Sequence, residues 1–210
     1  MKRILALSTL SLALFTGCSF WRSITGETWV PAAVQAEGRR VAILPFYDSP
    51  GVRSSALGLE IARALPPILQ GKVPTVSLVN SDEALRGLGD YDWIRAPRSE
   101  VGRRLGADFV ISGEILSVQL QEAGMIGVHN GRLEVAVEVV DVAKGTAVFS
   151  RKKMEVRFPR EGEHRAGSIL AEDSEIRKDL ADQMAERMAE IFYEHRVYTE
   201  DDRDFRPPWE

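Results

Sequence analysis

The sequence predicts an α/β (α+β) domain, a single mixed sheet of about five strands with helices packed on it, in the order β-α-β-α-α-β-β-β-α. Three stretches carry this. Residues 41–44 (VAIL) are a continuous apolar run, β-branched at Val41 and Ile43, as suits a strand covered on both faces. Residues 132–142 (RLEVAVEVVDV) alternate. Leu133, Val135, Val137 and Val139 face one way, and Arg132, Glu134, Ala136 and Glu138 the other. Residues 173–195 carry Ile176, Leu180, Met184, Met188, Ile191, Phe192 and His195 in one stripe, with Ala181, Ala185 and Ala189 beside it, which is the spacing of an amphipathic helix.

The chain opens on a different signal. Lys2 and Arg3 precede an uncharged, mostly apolar run over residues 4–15, then Thr16, Gly17 and Cys18, the only cysteine. Such a layout is that of a secretory signal peptide. The run is short of the ~20 apolar residues of a spanning helix. Leu14-Phe15-Thr16-Gly17-Cys18 resembles the lipobox of bacterial lipoproteins, with Phe15 a departure from the usual Leu, Ala or Val. That resemblance implies cleavage before Cys18 and an anchor of three acyl chains on it, more than the roughly two signals stable anchoring takes. Ser19 stands where an Asp would imply retention in the inner membrane, so the resemblance implies the outer membrane, with the domain facing the periplasm. A lone cysteine leaves no intramolecular disulfide to form.

Residues 18–38 read as a short tether. Isolated apolars (Phe20, Trp21, Trp29, Val30) mix with Ser, Thr, Gly and Pro31, and no helical or strand period persists. Trp21 fits the membrane interface, where Trp is favoured, and Trp21 and Trp29 equally fit packing on the domain. Residues 39–46 (RRVAILPF) form the leading strand, weakened at Pro45, which lacks an N–H. Turn chemistry follows over residues 48–51. A helix is expected over 52–70, kinked or cut by Pro66-Pro67 and stopped at Gly71. A strand over 73–79 follows, then a short helix over 82–88 that Asn80, Ser81 or Asp82 would cap.

Residues 87–97 are irregular. Residues 98–105 are helical up to Gly106, and 107–120 (ADFVISGEILSVQL) are a strand bent or bulged at Gly113. Residues 122–131 read as a loop turning on Asn130-Gly131. After the alternating strand, Lys144-Gly145 turns the chain into a strand over 146–158, where Val148, Met154, Val156 and Phe158 share a parity. Residues 159–168 are a polar loop. Acids start the last helix and His195-Arg196 end it, as the helix dipole favours. Residues 198–210 are a charged tail.

Charge and chemistry narrow the function. Lys and Arg number 27 against 31 Asp and Glu. Without Lys2 and Arg3 the balance is 25 against 31, about −6, a poor match to nucleic acid. The 193 residues after the cut (210 minus 17) suffice for one core. His129, His164 and His195 lack metal spacing. Asp90 and Asp92 are the one paired-carboxylate candidate, without base, nucleophile or glycine cradle. The GxxG of Gly124 to Gly127 is unsupported in an acidic secreted chain. No catalytic, cofactor or metal residues are expected, and Cys18 is the one site residue.

Residues 40–46 (RVAILPF), 106–115 (GADFVISGEI) and 135–144 (VAVEVVDVAK) resemble the small αβ domains of the curli secretion lipoprotein CsgG, the penicillin-binding-protein activator LpoB and the TolB amino-terminal domain. The resemblance implies a non-catalytic domain over residues 39–197 that docks other envelope proteins, with homo-oligomerisation left open. CsgG inserts two membrane-crossing hairpins per subunit. Here residues 117–132 and 157–171 lack the ~9–11 alternating apolar-out residues of a barrel strand. A CsgG-like channel subunit and an unrecognised envelope hydrolase are the alternative readings.

Overall fold

The computed structural model describes residues 27–54, 56–123, 128–160 and 173–198. They fall into two compact units, residues 33–193 and a pairing of the two flanking segments. In the larger unit β2 (Arg40–Ile43), β3 (Tyr47–Asp48), α1 (Leu57–Lys72), β4 (Ser77–Val79), α2 (Ser81–Leu88) and α3 (Arg98–Leu105) come first. The meander β5 (Phe109–Ala123), β6 (Val128–Asp141) and β7 (Thr146–Phe158) follows, then α4 (Asp173–Ala189) and a 3-10 turn, Glu190–Phe192. The flanking segments β1 (Glu27–Val30) and β8 (His195–Tyr198) form a separate antiparallel pair.

The main sheet runs β4-β2-β5-β6-β7, with β3 beside β5. Its first half is parallel, β2 lying between β4 and β5. Its second half is an antiparallel meander. Val41 and Ile43 enter the core shared with α1 and α4. Ala42 and Leu44, on the opposite face, join a second core with α2 and α3. The two-faced burial read from the VAIL run is therefore present. Asp108 fastens this seam, its carboxylate accepting a hydrogen bond from the Arg40 amide at 2.8 Å. Beyond it the cover is unequal: Leu133, Val135, Val137 and Val139 pack against α4 on one face, as the alternation predicts, while on the other Val110 and Val142 still join the core with α3.

Several expectations change. Helix α1 runs through Pro66 and Pro67 instead of breaking. Each proline forfeits a helical hydrogen bond at ~3 kcal/mol. Leu57, Ile61, Leu65 and Leu69 are all fully buried, and at about 1.5–3 kcal/mol per side chain they outweigh that loss. The helix starts later, at Leu57, while Asn80 caps α2 as expected by accepting from the Glu83 amide at 2.9 Å. The bulge in β5 lies at Leu116, between Ile115 and Ser117, and not at Gly113. Gly113 is instead a contact glycine: a Cβ there would strike the Phe46 ring and come within 2.6 Å of the Ala136 carbonyl.

Asn130-Gly131 is not the turn. Gly131 pairs with Leu120 and with Phe158 inside the sheet. There α4 passes so close that a Cβ would lie 2.6 Å from Ile176 and 2.9 Å from Leu180. Residues 124–127, between Ala123 and Val128, lie outside the described residues. In β7 two register shifts, one on each side of residues 149–151, break the single parity expected there. Met154, Val156 and Phe158 are buried and Val148 is exposed. The final stripe holds from Ile176 to Phe192, but the helix stops at Ala189 and His195 lies in β8. Val34 and Ala36, in the stretch read as tether, are buried in the core.

The glycine contacts give a paired prediction. Gly113→Ala should destabilise the protein by about 1–3 kcal/mol through overpacking. Gly71→Ala, in the last turn of α1 with open space around it, should stabilise it by about 0.5–1 kcal/mol. Urea unfolding of the two variants checks both signs.

Candidate functional site

The face of the meander that no described residue covers is built from the polar half of the alternation. Glu134 on β6 stands directly opposite Glu155 on β7, and like charges so placed repel. Cations gather to offset this. Arg132 reaches Glu134 and Glu155, each at 2.7 Å, and Lys153 reaches the same two at 2.8 and 3.3 Å. Arg157 adds a contact to Glu155 at 2.7 Å. Burial alone would raise the Glu155 pKa, but hydrogen bonds from Arg132, Arg157 and Lys153 hold it at about 2. The Lys153 hydrogen bond likewise lowers that of Glu134 against the opposing effect of burial. Both carboxylates are therefore charged at neutral pH and serve as acceptors, not as proton donors.

A second cluster lies where the parallel strands give way to this face. Glu114 on β5 accepts from Tyr47 Oη at 3.5 Å and from Ser49 Oγ. Asp48 accepts from the Ser54 amide at 2.9 Å and from Ser54 Oγ at 2.5 Å. Arg98, the first residue of α3, lies 5.8 Å from the Tyr47 ring centre and 6.0 Å from that of Trp93. Its guanidinium donates to the carbonyls of Trp93 (2.5 Å), Ala96 (3.3 Å) and Ile94 (3.3 Å). One side chain thereby fixes a whole turn, which presents Ile94 half exposed at its tip.

Among the described residues, those singled out from the sequence are not brought together. Cys18, Trp21, His164 and the Gly124 to Gly127 loop lie outside the described residues, and nothing is described of the His129 side chain. Asp90 and Asp92 are exposed, and Asp92 pairs with Arg95 at 3.4 Å. Met184 and Met188 are core residues. Among the described residues no group of three His, Cys, Asp or Glu side chains is placed to hold a metal ion. The Arg98 clamp was missed. One signal for it existed: a cation in the first turn of a helix opposes the dipole, so another interaction must hold it there.

No family model matches the chain, and no curated protein matches it in sequence. Among solved structures it is similar to the PelC dodecamer from Paraburkholderia phytofirmans, at 13% identity over 78% of this chain and 96% of that one, TM-score 0.46. It is similar to lipoprotein GNA1162 from Neisseria meningitidis, at 14% identity over 62% of this chain and 90% of that one, TM-score 0.45. A further likeness is to the LpoB C-terminal domain from Salmonella enterica, at 16% identity over 59% of this chain and 84% of that one, TM-score 0.35. The LpoB likeness read from the sequence thus recurs. At such identities these are likenesses of backbone arrangement and carry no function.

The Glu155 cluster sets a pH dependence. The folded pKa lies below the ordinary 4.5, so the stabilisation is complete above pH 4.5 and is lost as the pH falls toward about 2. Glu155→Gln should cost about 1.5–3 kcal/mol at pH 7, the worth of charged hydrogen bonds. It should also flatten the fall in stability across that acid window, as followed by urea unfolding at stepped pH.

Proposed function

We propose that this chain is a lipid-anchored, non-catalytic lipoprotein of the bacterial cell envelope that docks other envelope proteins. The observation that carries it is the Leu14-Phe15-Thr16-Gly17-Cys18 sequence after a basic and apolar leader, with Cys18 the only cysteine. In this reading residues 1–17 are the signal peptide, 18–38 lead from the anchor to the domain and already enter its core at Val34 and Ala36, 39–197 are the domain and 198–210 the tail. The acylated Cys18 holds the domain at the outer membrane, facing the periplasm. The described domain supports a docking role through surfaces whose polar groups are held in fixed geometry: the Glu134–Glu155 cluster and the Arg98-clamped turn.

A channel subunit is disfavoured by the β5–β6 hairpin itself. One of its faces packs on α4, next to Gly131. The other presents Glu134, Arg132 and, opposite Arg132, Gln119. Charged residues on a lipid-facing strand cost about 2–4 kcal/mol each at the bilayer midplane. The hydrolase alternative rests on Asp90 and Asp92, and the second of these is occupied by Arg95.

Growth with labelled palmitate tests the anchor. The native protein should carry label and fractionate with membranes, and Cys18→Ser should lose both. An unlabelled, soluble native protein contradicts the reading. Asp90→Asn combined with Asp92→Asn should leave folding and in-cell function intact, as measured by complementation of a deletion strain. Loss of function with an unchanged unfolding curve would revive the hydrolase.

A further inference from the structure

The β1–β8 pair carries a feature that its size does not explain. Two strands of four residues cannot enclose a large aromatic side chain, and Trp29 is 37% exposed. Directly across the pair stands Arg196, its guanidinium 4.5 Å from the centre of the Trp29 ring. Such a stack contributes about 0.5–1 kcal/mol at an exposed site. It leaves the indole presenting an apolar ring and an N–H donor, with a cation alongside.

We propose that Trp29 and Arg196 form a membrane-surface contact, an aromatic–guanidinium pair that seats in the headgroup layer of the bilayer to which Cys18 is attached. The inference rests on the anchored reading of Cys18. Two observations select a lipid surface as the occupant. The first is chemical: an indole prefers the depth where one end is apolar and the other wet, and an arginine beside it extends its charged head toward phosphate. The second is reach. Eight residues, 19–26, separate Cys18 from β1, and such a segment spans no more than about 30 Å even fully extended. The pair is thereby confined next to the leaflet at high effective concentration, so a contact too weak to recruit a free protein is occupied once the anchor is in place. After the cut before Cys18, 25 Lys and Arg stand against 31 Asp and Glu, a net charge of about −6 that does not favour anionic lipid. Partition of the ring, not bulk attraction, drives the contact, and its dependence on phosphatidylglycerol content is small.

The test uses the full-length acylated protein, its acyl mass confirmed, in vesicles of phosphatidylethanolamine and phosphatidylglycerol. The fluorescence of Trp29 is the difference between the native protein and Trp29→Phe, a change at an exposed side chain that leaves the core untouched. On vesicles this difference signal should shift to shorter wavelength and lose its quenching by iodide. It should also be quenched more by lipids brominated near the headgroup end of the acyl chain than by lipids brominated at its tip. Arg196→Glu should reduce all three effects. A Trp29 signal that is the same on vesicles as for the unacylated protein in buffer overturns the contact while leaving the anchor standing. Absence of the acyl mass removes the anchor and the contact together.

Discussion

The double covering of one strand is the constraint on which the rest of this structure depends. Strand β2 is four residues long, yet it has neighbours on both edges and helices over both faces. Val41, Ala42, Ile43 and Leu44 are all fully buried. At about 25 cal/mol for each Å² of apolar surface, such a strand stabilises the fold only if α1 and α4 cover one side and α2 and α3 the other. The β-α-β crossover through α1 and the return through α2 and α3 to β5 place the helices there. Asp108 and the Arg40 amide fix the register of the seam.

Past the contact of Val110 and Val142 with α3, the covering of the meander by the described residues is one-sided, and this asymmetry generates the polar surfaces. The same alternation that sends Leu133 and Val135 inward sends Arg132 and Glu134 outward, so a charged face follows from a strand with a single packed side. In β7, Lys153 and Glu155 alternate with the buried Met154 and Val156 and so join that face beside Arg132 and Glu134. The outer edge of β7 is managed as well. Arg187 and Gln183 of α4 donate to the carbonyls of Glu155 and Arg157 at 2.7 and 3.0 Å. Together with the register shifts and the cations, this discourages unplanned strand pairing. The polar surfaces that result are the charged face and the turn that Arg98 holds beside it.

Much of this was legible because it is local. The VAIL run, the alternation of residues 132–139 and the stripe from Ile176 to Phe192 report burial directly, since periodicity follows from which face is covered. Asn80 as a cap and Gly106 as a helix stop, with φ at 63°, are equally local. The misses share a cause. Strand β1 pairs with β8 across nearly the whole chain, and four-residue segments carry no periodic signal of their own. Gly113 and Gly131 look like bend and turn residues, yet their role is set by Phe46 and by α4, far away in sequence. Pro66-Pro67 looks like a break, and core burial overrides it. The exposed position of Val148 depends on register shifts that no alternation rule contains. The polar cluster around Glu114 needed the fold, because Tyr47 and Ser49 meet it only through the pairing of β3 with β5.

The double covering of β2 is open to direct measurement by native-state amide hydrogen exchange. Amides of Val41, Ala42 and Ile43, and of Val110 and Ile111 beside them, should exchange only through global unfolding, with the full unfolding free energy. Those of Ala147 to Ser150, on the edge strand, should exchange far faster through local opening. Exchange at Val41 to Ile43 as rapid as at Ala147 to Ser150 would contradict a strand sealed on both faces.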